Sequence, residues 1–183
     1  TVAITDCKET AFGALVIPST YEGKPVTSIE DEAFDGCSSL TSVTIPDSVT
    51  NIGDYAFDGC SSLTSVTIPD SVTSIGWFVF KDCVGLPSVT IPNRITRMGG
   101  GVFAACSNLM SIEVRNDNGP FYSINGILFV RVENNKTHLV QFPAGKSGHY
   151  KIPDNISSVW GGAFYGCSKL ASITIPDSVT SIE

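Results

Sequence analysis

The sequence lacks the features that mark several large classes of protein. It has no run of about 18 apolar residues, which a helix needs to cross a bilayer. It carries 11 basic residues against 18 acidic ones, and the basic residues form no stripe with interleaved aromatic residues. We therefore expect no direct membrane insertion by this chain and no nucleic acid partner.

Signatures of catalysis are equally scarce. The two histidines, His138 and His149, have no matched nucleophile motif, and neither an H-E-x-x-H nor a G-x-S-x-G phrase occurs. The sequence therefore predicts no enzyme activity, no cofactor and no metal site. One alternative stays open at a recurrent acidic turn, where the carboxylates either cap the turn or hold calcium. The residues of this turn are Asp47, Asp70, Asp154 and Asp177.

What the sequence does contain is a repeat. The dipeptide Ile-Pro begins at six positions, and a valine stands where a seventh copy belongs. These positions are Ile17, Ile45, Ile68, Ile91, Val114, Ile152 and Ile175, at intervals of 28, 23, 23, 23, 38 and 23 residues. A fixed period of roughly 20–29 residues with a leucine-rich pattern predicts a solenoid, in which each unit buries its apolar face against its neighbours.

Each period can be read as one coil of the backbone. Leu40, Val43 and Ile45 match an L-x-x-L-x-L phrase, which is typical of a short strand. Because side chains alternate along a strand, Val43 and Ile45 should point inward while Ser42 and Thr44 point out. No stretch is long enough for a substantial helix, so we expect short parallel strands with single helical or 3₁₀ turns near the Ala-Phe pairs.

The string A-F-x-G-C-S-S-L-T-S-V-T-I-P, present at 33–46 and 56–69, resembles the BspA-like leucine-rich-repeat family, also called the Treponema pallidum type. The resemblance covers nearly the whole chain. It implies a mostly β fold, a curved right-handed solenoid of about 23-residue coils with short parallel strands, few short helical turns and one inserted β-hairpin. We expect a single domain over residues 1–183, cut from a longer array because the last unit stops before its Ala-Phe-x-x-Cys segment.

The resemblance also carries expectations about function. Members of this family are secreted or surface-anchored, and several are adhesins for host matrix proteins or other cells. It implies a non-catalytic surface or secreted binding module, with a protein or glycan ligand on another cell or matrix. Two alternatives stay open: a structural stalk that displays another domain, and a face for ice or crystalline polysaccharide built from repeated Ser-x-Thr rows.

Five cysteines share one phase of the repeat, and Cys7 is out of phase. The five are Cys37, Cys60, Cys83, Cys106 and Cys167. Adjacent strands about 4.8 Å apart would permit a disulfide. We interpret the column as reduced thiols packed in the core, where cysteine behaves as a small hydrophobic residue, with redox or metal roles as alternatives.

The long unit, residues 115–151, departs most from the period. Ile127–Val132 and Thr137–Phe142 are β-prone runs separated by the turn 133–136, which predicts a hairpin, and Asn125-Gly126 adds another tight turn. Two interpretations remain open for this hairpin: a spacer packed against the solenoid edge, or a projection that contacts a ligand. Gly99–Gly101 is interpreted as a bend in the coil.

A candidate ligand surface follows from the outward rows of the strand wall. Most rows are Ser/Thr pairs, but Ser111/Glu113 and His149/Lys151 are charged and adjacent in the predicted order. The hairpin lies beside them. We therefore expect a binding surface formed by the following residues: Glu113, His149, Lys151, Phe121, Tyr122 and Phe129.

Overall fold

The computed structural model describes residues 1–7, 11–115 and 119–183. Residues 116–118, which fall inside the predicted long unit, lie outside the described residues. In the described residues no helix is both long and apolar enough to span a membrane. Regular structure there is almost entirely strand.

Eleven strands precede the long unit in the described part of the chain. They are β1 (Val2–Ile4), β2 (Phe12–Val16), β3 (Thr20–Tyr21), β4 (Lys24–Ile29), β5 (Ser39–Thr44), β6 (Asn51–Ile52), β7 (Ser65–Thr67), β8 (Ser74–Ile75), β9 (Ser88–Ile91), β10 (Arg97–Met98) and β11 (Ser111–Val114).

Seven strands and one 3₁₀ turn, Glu133–Asn135, follow. The strands are β12 (Phe121–Ile124), β13 (Ile127–Arg131), β14 (Thr137–Gln141), β15 (Gly148–Lys151), β16 (Ile156–Val159), β17 (Leu170–Thr174) and β18 (Ser181–Ile182).

Parallel strands from successive coils stack in register, as the period predicts. The front wall contains the sheets β2-β5-β7, β9-β11 and β15-β17, and the back contains β1-β4-β6-β8-β10 and β14-β16-β18. Val43 pairs with Val66 in front and Ile29 with Ile52 behind, each 23 residues on. Val43 is buried and Thr44 is exposed, which confirms the predicted alternation of the wall.

Aromatic rings stack along the interior. Phe34, Phe57, Phe80 and Phe103 form a column with centroid separations of 4.9, 5.3 and 5.5 Å and interplanar angles of 5° or less. Their planes are parallel because each ring repeats the position of the one before it. All four are buried, so each coil is fixed against its neighbour by one large apolar side chain.

The turns at the Ala-Phe pairs are single i→i−3 turns rather than α-helical ones, since Asp35 N–H donates to Glu32 O and Cys37 N–H donates to Phe34 O. These residues form hydrogen-bonded turns, and the N–H groups of Glu32, Phe34 and Gly36 donate to Asp54, Ala56 and Asp58 of the next coil. Because these donors bond across the stack, they are not available for the i→i−4 pattern of a helix. The turn therefore acts as a further ladder between coils.

The column of thiols is confirmed for Cys37, Cys60, Cys83 and Cys106, which are buried in one core, whereas Cys167 is partly buried against the second core. The Sγ atoms of Cys60, Cys83 and Cys106 donate to the carbonyls of Phe34, Phe57 and Phe80, at 3.3, 3.2 and 3.0 Å. All three cysteines are free and buried. Burial raises the pKa of Cys60 and of Cys106 to about 12, and that of Cys83 well above its ordinary value.

The predicted hairpin is confirmed: β13 and β14 are antiparallel around the turn at 133–136. β12 also pairs with β13 through Asn125-Gly126, so the insertion is a three-stranded meander. Leu128 and Val130 belong to the core of the first coils, whereas Ile127 and Phe129 belong to a second core. The insertion therefore lies between two apolar cores rather than projecting into solvent.

The coils before the insertion form a first stack, and the coils after it form a second. Backbone hydrogen bonds join these two stacks at the Ala-Phe turns. Ala105 N–H donates to Tyr165 O at 3.0 Å, continuing the turn ladder of earlier coils. A Cβ built on Gly100 would lie 2.8 Å from Gly161 O and 2.7 Å from the Trp77 ring. Gly99–Gly101, which the sequence marks as a bend, thus lie at a close approach of the two stacks.

Left-handed backbone also repeats with the period. Gly36, Gly59 and Gly166 have positive φ, and Asp82 and Ala105 stand at the same position with φ of 54° and 57°. A residue with a Cβ is strained in this region by about 1–2 kcal/mol. The stack imposes the conformation even where the residue is not glycine.

We expect Ala105→Gly to raise the free energy of unfolding by about 0.5–1 kcal/mol, because relief of left-handed strain exceeds the added entropy of the unfolded chain. Urea denaturation is the measurement. Ala104→Gly is the matched control, since Ala104 is buried and its φ is not positive; it should lower stability. Equal effects of both changes would contradict the interpretation.

Stability should fall as the pH rises from about 9 to 12. An unfolded cysteine releases its proton near pH 8.5, whereas folded Cys60 and Cys106 keep theirs to about pH 12. The unfolded state then binds fewer protons, so each thiol removes about 1.4 kcal/mol of stability per pH unit in this window.

Replacing Cys60 and Cys106 together by alanine should flatten this slope, measured by urea denaturation at several alkaline pH values. Replacing Val49 and Val72 together by alanine is the control, because it creates buried cavities without removing a thiol. An unchanged slope in the cysteine variant would refute the assignment.

Candidate functional site

The charged residues predicted to form a binding surface are exposed but do not lie in adjacent rows. In the described residues, β11, which carries Glu113, pairs only with β9, and β15, which carries His149 and Lys151, pairs only with β17. The β12–β13 turn meets β11 instead, since Ile112 N–H donates to Gly126 O at 2.9 Å. The inserted meander thus lies beside β11, where we expected β15 from the sequence.

Each of these charged side chains is engaged by a close neighbour. Glu113 accepts hydrogen bonds from Ser111 and from Ser123 of β12. His149 Nδ1 lies 2.7 Å from Ser172 Oγ, and Lys151 Nζ lies 3.2 Å from the Asp154 carboxylate. These contacts tie wall residues to their own or adjoining strands.

The three aromatic residues of the predicted surface are buried, and that part of the expectation is wrong. Phe121, Tyr122 and Phe129 are 4%, 8% and 2% exposed. They are covered because β12 and β13 separate the two cores and carry apolar side chains on both faces. The Arg131 guanidinium carbon lies 4.1 Å from the centroid of the Tyr122 ring.

A different concave surface opens at the back, where the ladder of parallel strands stops. Among the residues that the structure describes, β10 is the last strand of its sheet, and no strand of the next coil pairs with it. Trp160 N–H, which corresponds to the Gly99 N–H of the preceding coil, donates to Leu139 O at 3.0 Å. The meander has moved this coil away from β10, and a groove remains between them.

We call this opening the tryptophan groove. It consists of two adjoining cavities of about 650 and 340 Å³ that share Trp77, Met98, Val132 and Trp160. The larger cavity is also lined by Arg97, Phe121, Val130 and Arg131, and the smaller by His138. Both tryptophans of the chain therefore line one groove.

Trp77 replaces a residue with a structural role in earlier coils. Asp31 Oδ1 accepts from Asp54 N–H, and Asp54 Oδ1 accepts from Trp77 N–H, both at 2.7 Å. Trp77 stands one repeat later and has no carboxylate to offer Gly100. An exposed indole, 52% accessible, replaces this capping group. A residue that departs from the pattern of its repeat without stabilising the fold is typical of a functional position.

Trp160 stands where neighbouring coils have glycine. A Cβ on Gly53, Gly76 or Gly99 would lie within 2.7 Å of the backbone of the preceding coil, so a side chain there does not fit. Trp160 fits because the meander has opened the stack. Its Nε1–H donates to His138 Nδ1 at 3.2 Å, and its ring meets Phe121 edge-on at 6.3 Å.

This groove was not predicted from the sequence. The sequence nevertheless indicates it at two adjacent positions of the repeat. These positions are occupied by Gly53-Asp54 in one coil, by Gly76-Trp77 in the next, and by Trp160-Gly161 after the insertion. Two tryptophans at a position occupied elsewhere by small or acidic residues indicate a change in the surroundings of that position.

A smaller opening lies on the front side of the meander. A cavity of about 390 Å³ is lined by Met110, Ile127, Phe142 and His149 among others. Two residues of the predicted surface thus border cavities, Phe121 in the tryptophan groove and His149 here. Exposed Met110 lies at the same opening.

The acidic turns do not converge on a common point. In the ranges that the structure describes, no three His, Cys, Asp or Glu side chains come close enough to hold a metal ion. Asp70 pairs with Arg115 at 2.8 Å, and Asp154 pairs with Lys151. Single carboxylates of this kind supply few of the six to eight oxygens that calcium takes.

Comparison with known proteins gives a consistent result. The sequence profile described as BspA type leucine rich repeat region matches six copies over residues 27–142 and 141–183. None of the proteins with curated functions is similar enough to count as a match.

Among solved structures, the chain is similar to a leucine-rich repeat protein from Eubacterium ventriosum, with 25% identity and a TM-score of 0.67 over 94% of this chain and 56% of that one. It is similar to the pneumococcal vaccine antigen PcpA, with 26% identity and a TM-score of 0.69 over 87% and 45%. The leucine-rich repeat protein of T. pallidum matches at 25% identity, with a TM-score of 0.58 over 98% and 77%. This chain spans about half the length of the first two.

The opening of the stack predicts opposite outcomes for two glycine substitutions. Gly76→Ala should lower the free energy of unfolding by about 2 kcal/mol or more, because its Cβ would lie 2.7 Å from Asp54 N. Gly161→Ala, on the far side of the groove, meets nothing closer than 3.6 Å and should be neutral or slightly stabilising. Thermal and urea denaturation test both, and a tolerated Gly76→Ala would contradict the tight stacking.

Proposed function

This chain belongs to the BspA-type leucine-rich repeat family, and on that premise we propose that it is a non-catalytic recognition module whose ligand-binding site is the tryptophan groove. Leucine-rich repeats of this type provide a scaffold for binding or display. The groove supplies what a plain coil lacks, a concave surface with aromatic walls and a few polar groups.

One observation carries the proposal. Both tryptophans line the only break in the back ladder that the described residues show between consecutive coils, and Trp77 is 52% exposed there. Tryptophan contributes strongly at binding surfaces, since it offers a large apolar face together with one hydrogen-bond donor. An exposed tryptophan at a concave surface therefore supports contact with a ligand here.

The module acts outside the cell in this proposal, at the surface or as a secreted protein. Support comes from the similarity of this chain to PcpA, a pneumococcal protein that is described as a vaccine antigen. The partner is a protein or glycan of a host matrix or a neighbouring cell. Contact with such a partner is adhesion, and it needs no catalytic group.

A structural stalk that displays another domain is the second candidate. The local engagement of Glu113, His149 and Lys151 favours it, because a wall whose charges are satisfied internally has less to offer a ligand. A stalk predicts that this chain binds nothing by itself. The two candidates therefore predict different results when binding of the isolated chain to a partner is measured.

We expect the chain to bind immobilised matrix proteins, mucin or intact cells, measured by surface plasmon resonance and cell adhesion. Trp77→Ala should weaken binding at least tenfold without loss of stability, because it removes an exposed ring. Tyr165→Ala is the matched control, since Tyr165 is an exposed aromatic residue outside the groove; it should bind as the parent does.

His149→Ala and Lys151→Ala test the charged wall in the same assays. If they reduce binding while Trp77→Ala does not, the site lies on the wall and the groove proposal is wrong. If no surface retains the parent chain, the stalk is the correct function.

A further inference from the structure

The walls of the tryptophan groove suit a flat ligand with one apolar face. Trp77 is exposed, and its indole covers the backbone of Gly100, as the 2.7 Å separation of its Cζ3 atom from a Gly100 Cβ shows. Trp160 contributes a second, half-buried indole. The C–H face of a sugar ring packs on such surfaces and buries apolar area.

Two backbone carbonyls give the groove hydrogen-bond acceptors. In earlier coils Thr73 O accepts from Thr96 N–H and Ile75 O accepts from Gly99 N–H, at 2.9 and 3.0 Å. Thr96 lies just before β10 and Met98 ends it; both border the larger cavity, and in the described residues no following coil pairs with β10. Sugar hydroxyls are donors that backbone carbonyls can accept from.

Positive charge lies in the larger cavity of the groove. The chain has a net charge of −7, yet two of its four arginines line this cavity. Arg97 and Arg131 line the larger cavity, whose one carboxylate is that of Asp54. Asp54 Oδ1 already accepts from Trp77 N–H. Arginine binds carboxylates with two parallel hydrogen bonds, so this cavity favours an anionic ligand.

We infer that the tryptophan groove binds a saccharide that carries a carboxylate, with one sugar ring on Trp77 and the carboxylate on Arg97. This inference rests on the proposed function and names its ligand class. The volume of the larger cavity, about 650 Å³, falls within the range of small-molecule sites and holds one or two sugar units.

An extended peptide fits this groove less well. It would have to add to β10, which is two residues long and carries Arg97. Short, charged edge strands resist the addition of a further strand. A saccharide uses the same carbonyls without requiring a ladder.

Intrinsic fluorescence provides a direct assay, because both tryptophans of the chain line the groove. The intact chain is titrated with three carboxylated saccharides, each against a neutral counterpart: oligogalacturonate against its methyl ester, heparosan oligosaccharide against its carboxyl-reduced form, and sialyllactose against lactose. We expect at least one carboxylated member to change the emission saturably and to bind about tenfold more tightly than its counterpart.

Arg97→Gln should remove this preference for the carboxylate, whereas Arg94→Gln, an exposed arginine outside the groove, should leave it unchanged. The preference should weaken as salt is raised, because the contact is partly exposed. Trp160→Phe leaves Trp77 as the single tryptophan, so the emission change that remains comes from the ring that we place against the sugar.

Three results would overturn the inference: no response to any of the three carboxylated saccharides, equal affinity for charged and neutral partners, or tighter binding of oligoglutamate peptide than of any saccharide. If these occur while Trp77→Ala still loses adhesion, the proposed function stands and the ligand class is wrong. If Trp77→Ala adheres normally, the proposed function itself fails.

Discussion

The backbone hydrogen bonds between one coil and the next are the interaction on which this structure depends. They occur in the front wall and in the back strands, where paired residues are 23 positions apart, and at the Ala-Phe turns, where donor and acceptor are 22 positions apart. Because register is shared at all three places, a side chain meets its own counterpart in the next coil. The parallel Phe rings, the thiols and the left-handed turn positions follow from this constraint.

The inserted meander shows what happens when that bonding is interrupted on one side. β13 carries buried residues on both faces, so it divides the interior into two cores without leaving apolar surface exposed. Displacement of the following coil then frees the edge of β10. The tryptophan groove is therefore a consequence of where the insertion enters the stack, and its aromatic residues occupy positions that the open stack makes available.

Much of the fold could be predicted because a period of 23 residues defines register. The pairing of Val43 with Val66, the inward cysteines and the antiparallel strands around residues 133–136 all follow from spacing. The order of strands in the front wall could not be predicted, because a pattern of β-prone runs does not indicate whether a hairpin lies beside a stack or within it. The continuous run Ile127–Val130, buried on both faces, was the available signal, because half-exposed strands alternate. Trp77 and Trp160 were overlooked because only the displaced coil brings their positions to one groove.

The joint between the two stacks is bonded unevenly. Ala105 donates to Tyr165 and Gly145 donates to Leu109, whereas β10 faces the groove. Bending about the bonded side would widen or narrow the groove while these two hydrogen bonds stay in place. Mechanical load carried across this joint would then act on the shape of the groove.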